Sequence, residues 1–234
     1  MSAEVASALN KEFDRTEAVN VLRELAKRYK GKIVFTSSFG IEDQVITDLI
    51  FANDINIKVI TLDTGRLFEE TNKVFARTLE KYNKPIIPYY PKNEDLEQFV
   101  GTHGPNSFYL SVENRKQCCH IRKVEPLGRA MQGMECWITG LRAAQSVNRH
   151  DLAFFNWDAG FQTIKYNPLL HFSLEDCRKY VLDNHVPYNS LHDKGFVSIG
   201  CAPCTRAIRE DEDFRAGRWW WEDNSKKECG LHQH

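Results

Sequence analysis

Between residues 8 and 29 apolar side chains recur at near-helical spacing (Leu9, Phe13, Val19, Leu22, Leu25) until Gly31 ends the pattern. This predicts an N-terminal helical segment over residues 1–30. Lys32–Ser37 (KIVFTS) reads as a buried strand. Residues 41–52 read as a helix with Glu42 and Asp43 in its first turn, where the helix dipole favours acids. Ile57–Leu62 predicts a second strand, 67–82 a helix, and Pro85–Tyr90 a third strand bounded by proline. Glu135–Thr139 (ECWIT) predicts a further strand, and 173–185 a helix with Ser173 as its N-cap. Strands alternating with helices of this length make an α/β fold with a mostly parallel sheet and helices on both faces. From about residue 190 the chain is rich in Gly, Cys, Arg and Trp, and no period survives. The expected organisation is therefore a single domain: the helical segment 1–30, an α/β body over 31–190, and an irregular C-terminal tail over 191–234.

The 234 residues are 42% hydrophobic, enough for an ordinary core in one domain. Lys and Arg number 31 against 32 Asp and Glu, a net charge of −1, which gives no electrostatic footprint for nucleic acid or an anionic membrane. No run approaches the roughly 18 apolar residues of a spanning helix. The N-terminal stretch MSAEVASALNKEFDRTEAVN has no apolar core of the kind a secretion signal needs. The expected compartment is the cytoplasm, and a homo-oligomer is compatible with the sequence.

Three loops follow predicted strands, where open α/β sheets bind ligands. The first, Ser37-Ser38-Phe39-Gly40, leads into a helix and offers N–H donors at its positive end; it lacks the G-K-[ST] of a Walker A loop, and on spacing alone it is equally a plain βα turn with a serine cap. The second is Leu62-Asp63-Thr64-Gly65, which taken alone is also an ordinary turn. The third, Gly140–Ser146 with Arg149 just beyond, carries Arg142; arginine grips phosphate or sulfate oxygens with two parallel hydrogen bonds, although a single arginine is more often a solvated surface side chain.

Seven cysteines in a chain with no export signal suggest metal or redox chemistry rather than structural disulfides. Cys136 and Cys177 fall in apolar-patterned elements and read as buried thiols. Cys118-Cys119 and Cys201-x-x-Cys204 form two pairs. Zinc is the standard partner of four cysteines, but adjacent ligands fit one tetrahedral ion awkwardly. An iron–sulfur cube offers four irons to four thiolates, so the spacing favours a cluster over zinc. Lys116, Arg122 and Lys123 flank the first pair, as suits an anionic group. Cys229 stands near the end of the chain beside Lys226, Lys227 and His232, which favour the thiolate, the nucleophilic form; on the residues alone it reads equally as a stray exposed cysteine.

The segments SSFGIED, LDTG, CCHIRKVEPL, ITGLRAAQS, GCAPCTR, RAGRWWWE and ECGLH together resemble the assimilatory adenylyl-sulfate reductases, the iron–sulfur branch of the sulfonucleotide reductases. The resemblance runs from about residue 30 to the C-terminus. It implies a fold similar to the PP-loop (adenine nucleotide alpha hydrolase-like) enzymes and a [4Fe–4S] cluster on Cys118, Cys119, Cys201 and Cys204. Ser37, Ser38 and Gly40 would form a modified phosphate loop, and Leu62, Asp63, Thr64 and Gly65 would lie near the nucleotide. Lys123 would lie between cluster and substrate, and Arg142, Arg149, Arg215 and Arg218 would surround the phosphosulfate. Cys229 would be the nucleophile.

The implied reaction is thioredoxin-dependent reduction of adenosine 5′-phosphosulfate to sulfite and AMP, in sulfate assimilation and cysteine biosynthesis, through an S-sulfocysteine. The nearest alternative is a 3′-phosphoadenosine 5′-phosphosulfate reductase or a dual-specificity enzyme. More remote are a PP-loop ATP pyrophosphatase, from whose SGGxDS motif SSFG departs, and a metal-stabilised binding module. The Arg218–Trp221 run (RWWW) either packs the hinge of the tail or supplies a partner surface.

Overall fold

A computed structural model describes residues 2–145 and 152–222. The chain divides into two compact units. Met1–Thr61, Glu70–Ile87 and Gly133–Asn189 form the first; Leu62–Glu69, Pro88–Gln132 and Ser190–His234 form the second.

The first unit carries most of a six-stranded sheet of order β3-β2-β1-β4-β6-β5. Its strands are β1 (Ile33–Ser37), β2 (Lys58–Leu62), β3 (Ile87–Tyr89), β4 (Cys136–Ile138), β5 (Phe155–Asp158) and β6 (Thr163–Tyr166). β1 runs parallel to β2, with Ser37 opposite Thr61, and parallel to β4, with Phe35 opposite Ile138. β4 is parallel to β6, and β5 closes the edge antiparallel to β6. The mostly parallel sheet is as the alternating pattern predicts. The β5–β6 hairpin is not, since FNWD and TIKY are short and carry no clean alternation.

The expected helix across 8–29 is two helices, α1 (Ala3–Glu12) and α2 (Ala18–Arg28). The polar stretch between Phe13 and Val19 interrupts the apolar stripe, and Arg15 turns the chain with a φ of +59°. Then come α3 (Ile41–Phe51), α4 (Glu69–Tyr82) and α8 (Leu174–Asp183). Ser173 starts α8 with a capping box: its Oγ accepts from Asp176 N, and the Asp176 carboxylate accepts from Ser173 N. Leu22, Leu25, Phe35, Val45, Ile50, Ile138, Ile164 and Val181 share one core with Cys136 and Cys177. Burial pushes both thiols up, Cys177 to about 12, so neither is a nucleophile at neutral pH. α3 is buried on nearly every side. Its Asp48 carboxylate accepts from Tyr82 of α4 and Tyr180 of α8.

The second unit is helical: α5 (Asn93–His103), α6 (Val112–Cys119) and α7 (Glu125–Met131). α6 starts at Ser111, whose Oγ accepts from Asn114 N at 3.1 Å. A π turn over His120–Val124 joins α6 to α7. Pro126 follows at once; having no N–H, it cannot continue the ordinary ladder. Beyond Ser190 the described chain holds only short 3₁₀ turns and an isolated bridge between Thr205 and Arg218. Among the described residues, no helix is long and apolar enough to cross a membrane.

Candidate active site

In the first unit the Ser37–Gly40 loop is held by its own side chains. Ser38 donates from both its N–H and its hydroxyl to Asp43 Oδ2, each at 2.6 Å. Phe39 N donates to Ser37 Oγ at 3.2 Å and Gly40 N to Ser38 Oγ at 3.4 Å. Phe39 turns the loop with a φ of +60°. Burial pushes the Asp43 carboxyl up to about 6, against the two Ser38 donors that pull it down. The single hydroxyl hydrogen of Ser38 is thus committed to Asp43. An anion entering this loop would be met by the N–H groups of Phe39 and Gly40, displacing serine oxygens as acceptors.

The loop after β4 packs directly on the start of α3. A Cβ on Gly140 would lie 2.2 Å from Asp43 Oδ1, so only glycine permits this approach. Arg142 is buried, and its Nε donates to Glu42 Oε1 at 2.8 Å. Gln145 Nε2 donates to the same oxygen at 3.0 Å, while Gln145 Oε1 accepts from Arg142 N at 3.2 Å. The first and third predicted loops therefore form one structure, with Arg142 inside it rather than on the surface.

In the second unit the Leu62–Gly65 turn is joined to the cysteines. Asp63 Oδ1 accepts from Gly65 N at 2.8 Å, and Gly65 has a φ of +67°. Thr64 is buried, and its hydroxyl is hydrogen-bonded to Cys201 Sγ at 3.3 Å. The Thr64 carbonyl accepts from the Arg122 guanidinium. The Cys201–Cys204 turn is fixed at both ends: Ala202 N donates to Arg66 O at 2.8 Å, and Trp219 N to Cys204 O at 3.1 Å.

Cys118, Cys119, Cys201 and Cys204 line one small pocket, together with Arg66, Arg122, Lys123, Arg115 and Phe108. Burial raises the Cys118 thiol and pushes Cys204 up to about 12. Burial also opposes ionisation of Cys201, but Lys123, the Thr64 hydroxyl, Arg218 and Arg122 together overcome it and hold that thiol below its ordinary value. Arg122 is buried, and its Nε has no hydrogen-bond partner. Four thiols beside several buried cations suit an anionic prosthetic group. No three His, Cys, Asp or Glu among the described residues converge as one metal ion would require. Thiols are the donors that soft metal centres take, so the residues present suit such a group.

The fold has solved counterparts. The phosphoadenylyl-sulfate reductase of Candida auris, in a phosphate complex, superposes with a TM-score of 0.75 at 29% identity over 89% of this chain and 98% of that one. Yeast FAD synthetase shares the fold alone, with a TM-score of 0.54 at 16% identity over 88% of this chain and 75% of that one. Residues 32–207 match the phosphoadenosine phosphosulfate reductase domain. This chain belongs to that family. Within the family, it is 49% identical over 97% of its length to the adenosine 5′-phosphosulfate reductase of Sinorhizobium fredii strain USDA 257, of which it covers 90%. It is 50% identical over 85% of its length to the enzyme of that name from Neisseria meningitidis serogroup A, of which it covers 82%.

Of the site residues expected in this reductase-family chain, Ser37, Ser38, Gly40 and Arg142 meet in the first unit. Leu62, Asp63, Thr64, Gly65, Lys123, Arg215, Arg218 and the four cysteines lie in the second. Arg215 and Arg218 both face the buried Trp219, at 5.8 and 4.9 Å from its ring centre. Arg218 also packs so closely on Gly200 that a Cβ there would lie 2.3 Å from its Nη2. Arg149 and Cys229 lie outside the described residues.

The sequence reading assigned Glu42 and Asp43 to the helix dipole and did not foresee their side-chain partners. It also missed Arg66, although this cation directly follows LDTG, and it missed the buried pair Arg115–Glu222, held at 2.9 and 2.8 Å across 107 residues of chain. No sequence signal announces that pair.

Proposed function

We propose that this protein reduces adenosine 5′-phosphosulfate to sulfite and AMP, using reduced thioredoxin and a covalent intermediate on Cys229. The observation that carries the reading is the pocket where Cys118, Cys119, Cys201 and Cys204 meet Arg122 and Lys123, in a chain about half identical to adenosine 5′-phosphosulfate reductases. These four cysteines would hold a [4Fe–4S] cluster, which when bound supplies a fixed local field rather than net electrons. Arg122 and Lys123 would balance its charge, with Thr64 bonded to the Cys201 sulfur.

The remaining chemistry belongs to the chain. The phosphosulfate is an anion, and its attack by a thiolate brings like charges together. Cations that neutralise the developing charge therefore lower the barrier. Lys123, Arg142, Arg149, Arg215 and Arg218 are assigned that work, and the Ser37–Gly40 and Leu62–Gly65 loops hold the nucleotide. Cys229 Sγ attacks the sulfate sulfur, and the S–O bond to the phosphate breaks. AMP leaves with the electron pair and Cys229 carries the sulfonate. A thioredoxin thiolate then attacks Cys229 Sγ and expels sulfite. The second thioredoxin thiol resolves the mixed disulfide, so two thiols are oxidised as sulfur(VI) becomes sulfur(IV). Dependence on reduced thiols is in keeping with a cytoplasmic enzyme.

A 3′-phosphorylated substrate is the second reading, favoured by the likeness to the Candida auris phosphoadenylyl-sulfate reductase. Sulfite release measured with each nucleotide under thioredoxin decides between them. Turnover confined to the 3′-hydroxyl nucleotide is the expected result. Preference for the 3′-phosphate would establish the second reading, and release of pyrophosphate from ATP with no sulfite would overturn both.

A further inference from the structure

The second unit carries an aromatic surface that the site does not use. Among its described residues, four large apolar side chains are exposed: Tyr90, Tyr109 (41%), Leu110 (77%) and Trp220 (40%). Tyr109 and Trp220 adjoin, with ring centres 6.3 Å apart, and Leu110 follows Tyr109 directly. The half-buried Trp221 supports both rings, at 4.4 Å from Tyr109 and 4.9 Å from Trp220. Tyr109 is also tied to the cysteine turn, its hydroxyl donating to Pro203 O at 2.8 Å. The three consecutive tryptophans thus divide their work. Trp219 is buried among the site arginines, Trp221 braces the patch, and Trp220 faces outward.

We infer that the Tyr109–Leu110–Trp220 patch is the docking surface for the dithiol protein that discharges Cys229. The inference rests on the reaction proposed above. The described chain ends at Glu222, two residues past Trp220, and Cys229 follows seven residues later. A seven-residue span reaches about 25 Å at full extension. A protein whose thiolate attacks Cys229 must therefore come within about 25 Å of Glu222, two residues past Trp220. Such a partner is itself a domain of about 13 Å radius of gyration or more, so a partner that reaches Cys229 also covers surface near the point where the tail leaves the described chain. Redox encounters use small interfaces, and small interfaces draw their energy from a few aromatic anchors such as Trp and Tyr. An exposed aromatic patch of this kind calls for a partner that presents apolar surface beside its reactive thiol.

The test uses the full-length, cluster-loaded enzyme with Leu110→Asp and Trp220→Ala variants. S-sulfonated enzyme is first formed with adenosine 5′-phosphosulfate alone. It is then discharged either by reduced thioredoxin or by dithiothreitol, a dithiol too small to need a docking surface. The expected result is unchanged S-sulfonation, unchanged discharge by dithiothreitol, and a fall of about tenfold or more in the second-order rate with thioredoxin, as for an interface anchor. Equal thioredoxin rates in both variants and the parent overturn the inference. Slowed S-sulfonation in both variants shows instead that the patch seats this chain's own tail. A change in sedimentation shows that it seats a second copy. If the parent enzyme forms no adduct on Cys229, the proposed reaction fails first and the docking role falls with it.

Discussion

Glu42 Oε1 accepts from Arg142 Nε at 2.8 Å and from Gln145 Nε2 at 3.0 Å, so one carboxylate on α3 holds the described start of the loop after β4. Both side chains of the ion pair are largely out of solvent, at 2% and 11% exposure. Removing one partner strands a buried charge, which costs about 3–5 kcal/mol. Glu42→Ala should therefore lower the stability of the fold by that order, measured by urea denaturation. Glu42→Gln keeps an acceptor and should lose less. The Glu42→Gln/Arg142→Met double variant should lose less than the sum of its single changes.

Asp43 gives the fold a pH signature of definite sign. Its carboxyl titrates near 6 in the folded chain, above the ordinary value of 3.8. The folded state therefore binds the proton more tightly than the unfolded one. The stability this contributes is fully present below about pH 4 and is lost as the pH rises through about 6, a change of about 3 kcal/mol. Asp43→Asn removes the titration. The stability difference between parent and variant should fall along that pH course, and a flat difference would refute the assignment.

Gly140 should tolerate no side chain. A methyl group there would sit 2.2 Å from Asp43 Oδ1 and 3.3 Å from the Glu42 Cβ. Gly140→Ala must expel the Asp43 carboxylate from Ser38 or move the loop, at about 1–3 kcal/mol. It should also weaken nucleotide binding. The substitution should be milder in an Asp43→Ala background, a comparison that calorimetry of the four proteins can make.

The cysteine pocket predicts metal content and a division of roles. Anaerobically purified protein should carry iron and acid-labile sulfide in equal amounts, and Cys204→Ser should lose both. Lys123→Ala should keep the iron while S-sulfonation slows by about 10²-fold or more, the scale for losing one charge-stabilising group. An unchanged rate would separate Lys123 from the chemistry.

What the sequence disclosed depended on range. The strands of the parallel sheet and the Ser173 cap were legible because their signals are local: β-branched runs such as IVFTS, and Ser three residues before Asp. The cysteine pairs were legible as chemistry because adjacent and CxxC thiols are distinctive, and the structure places all four on one pocket. The break between α1 and α2 was blurred because Phe13 and Val19 both pack inward on either side of it. The Glu42–Arg142 and Arg115–Glu222 pairs were invisible, joining residues 100 and 107 positions apart. Glu42 and Asp43 looked like ordinary first-turn acids, since nothing local says that Gly140 and Arg142 approach them.

The central claim is that sulfur is transferred to this chain before any reductant acts. The direct test incubates the anaerobic, cluster-loaded protein with adenosine 5′-phosphosulfate alone and maps the mass of every cysteine peptide. The account predicts one sulfonate on the Cys229 peptide, AMP released in equal amount, and removal of the adduct by reduced thioredoxin. A protein that binds the nucleotide with its cluster intact yet leaves Cys229 unmodified would contradict it.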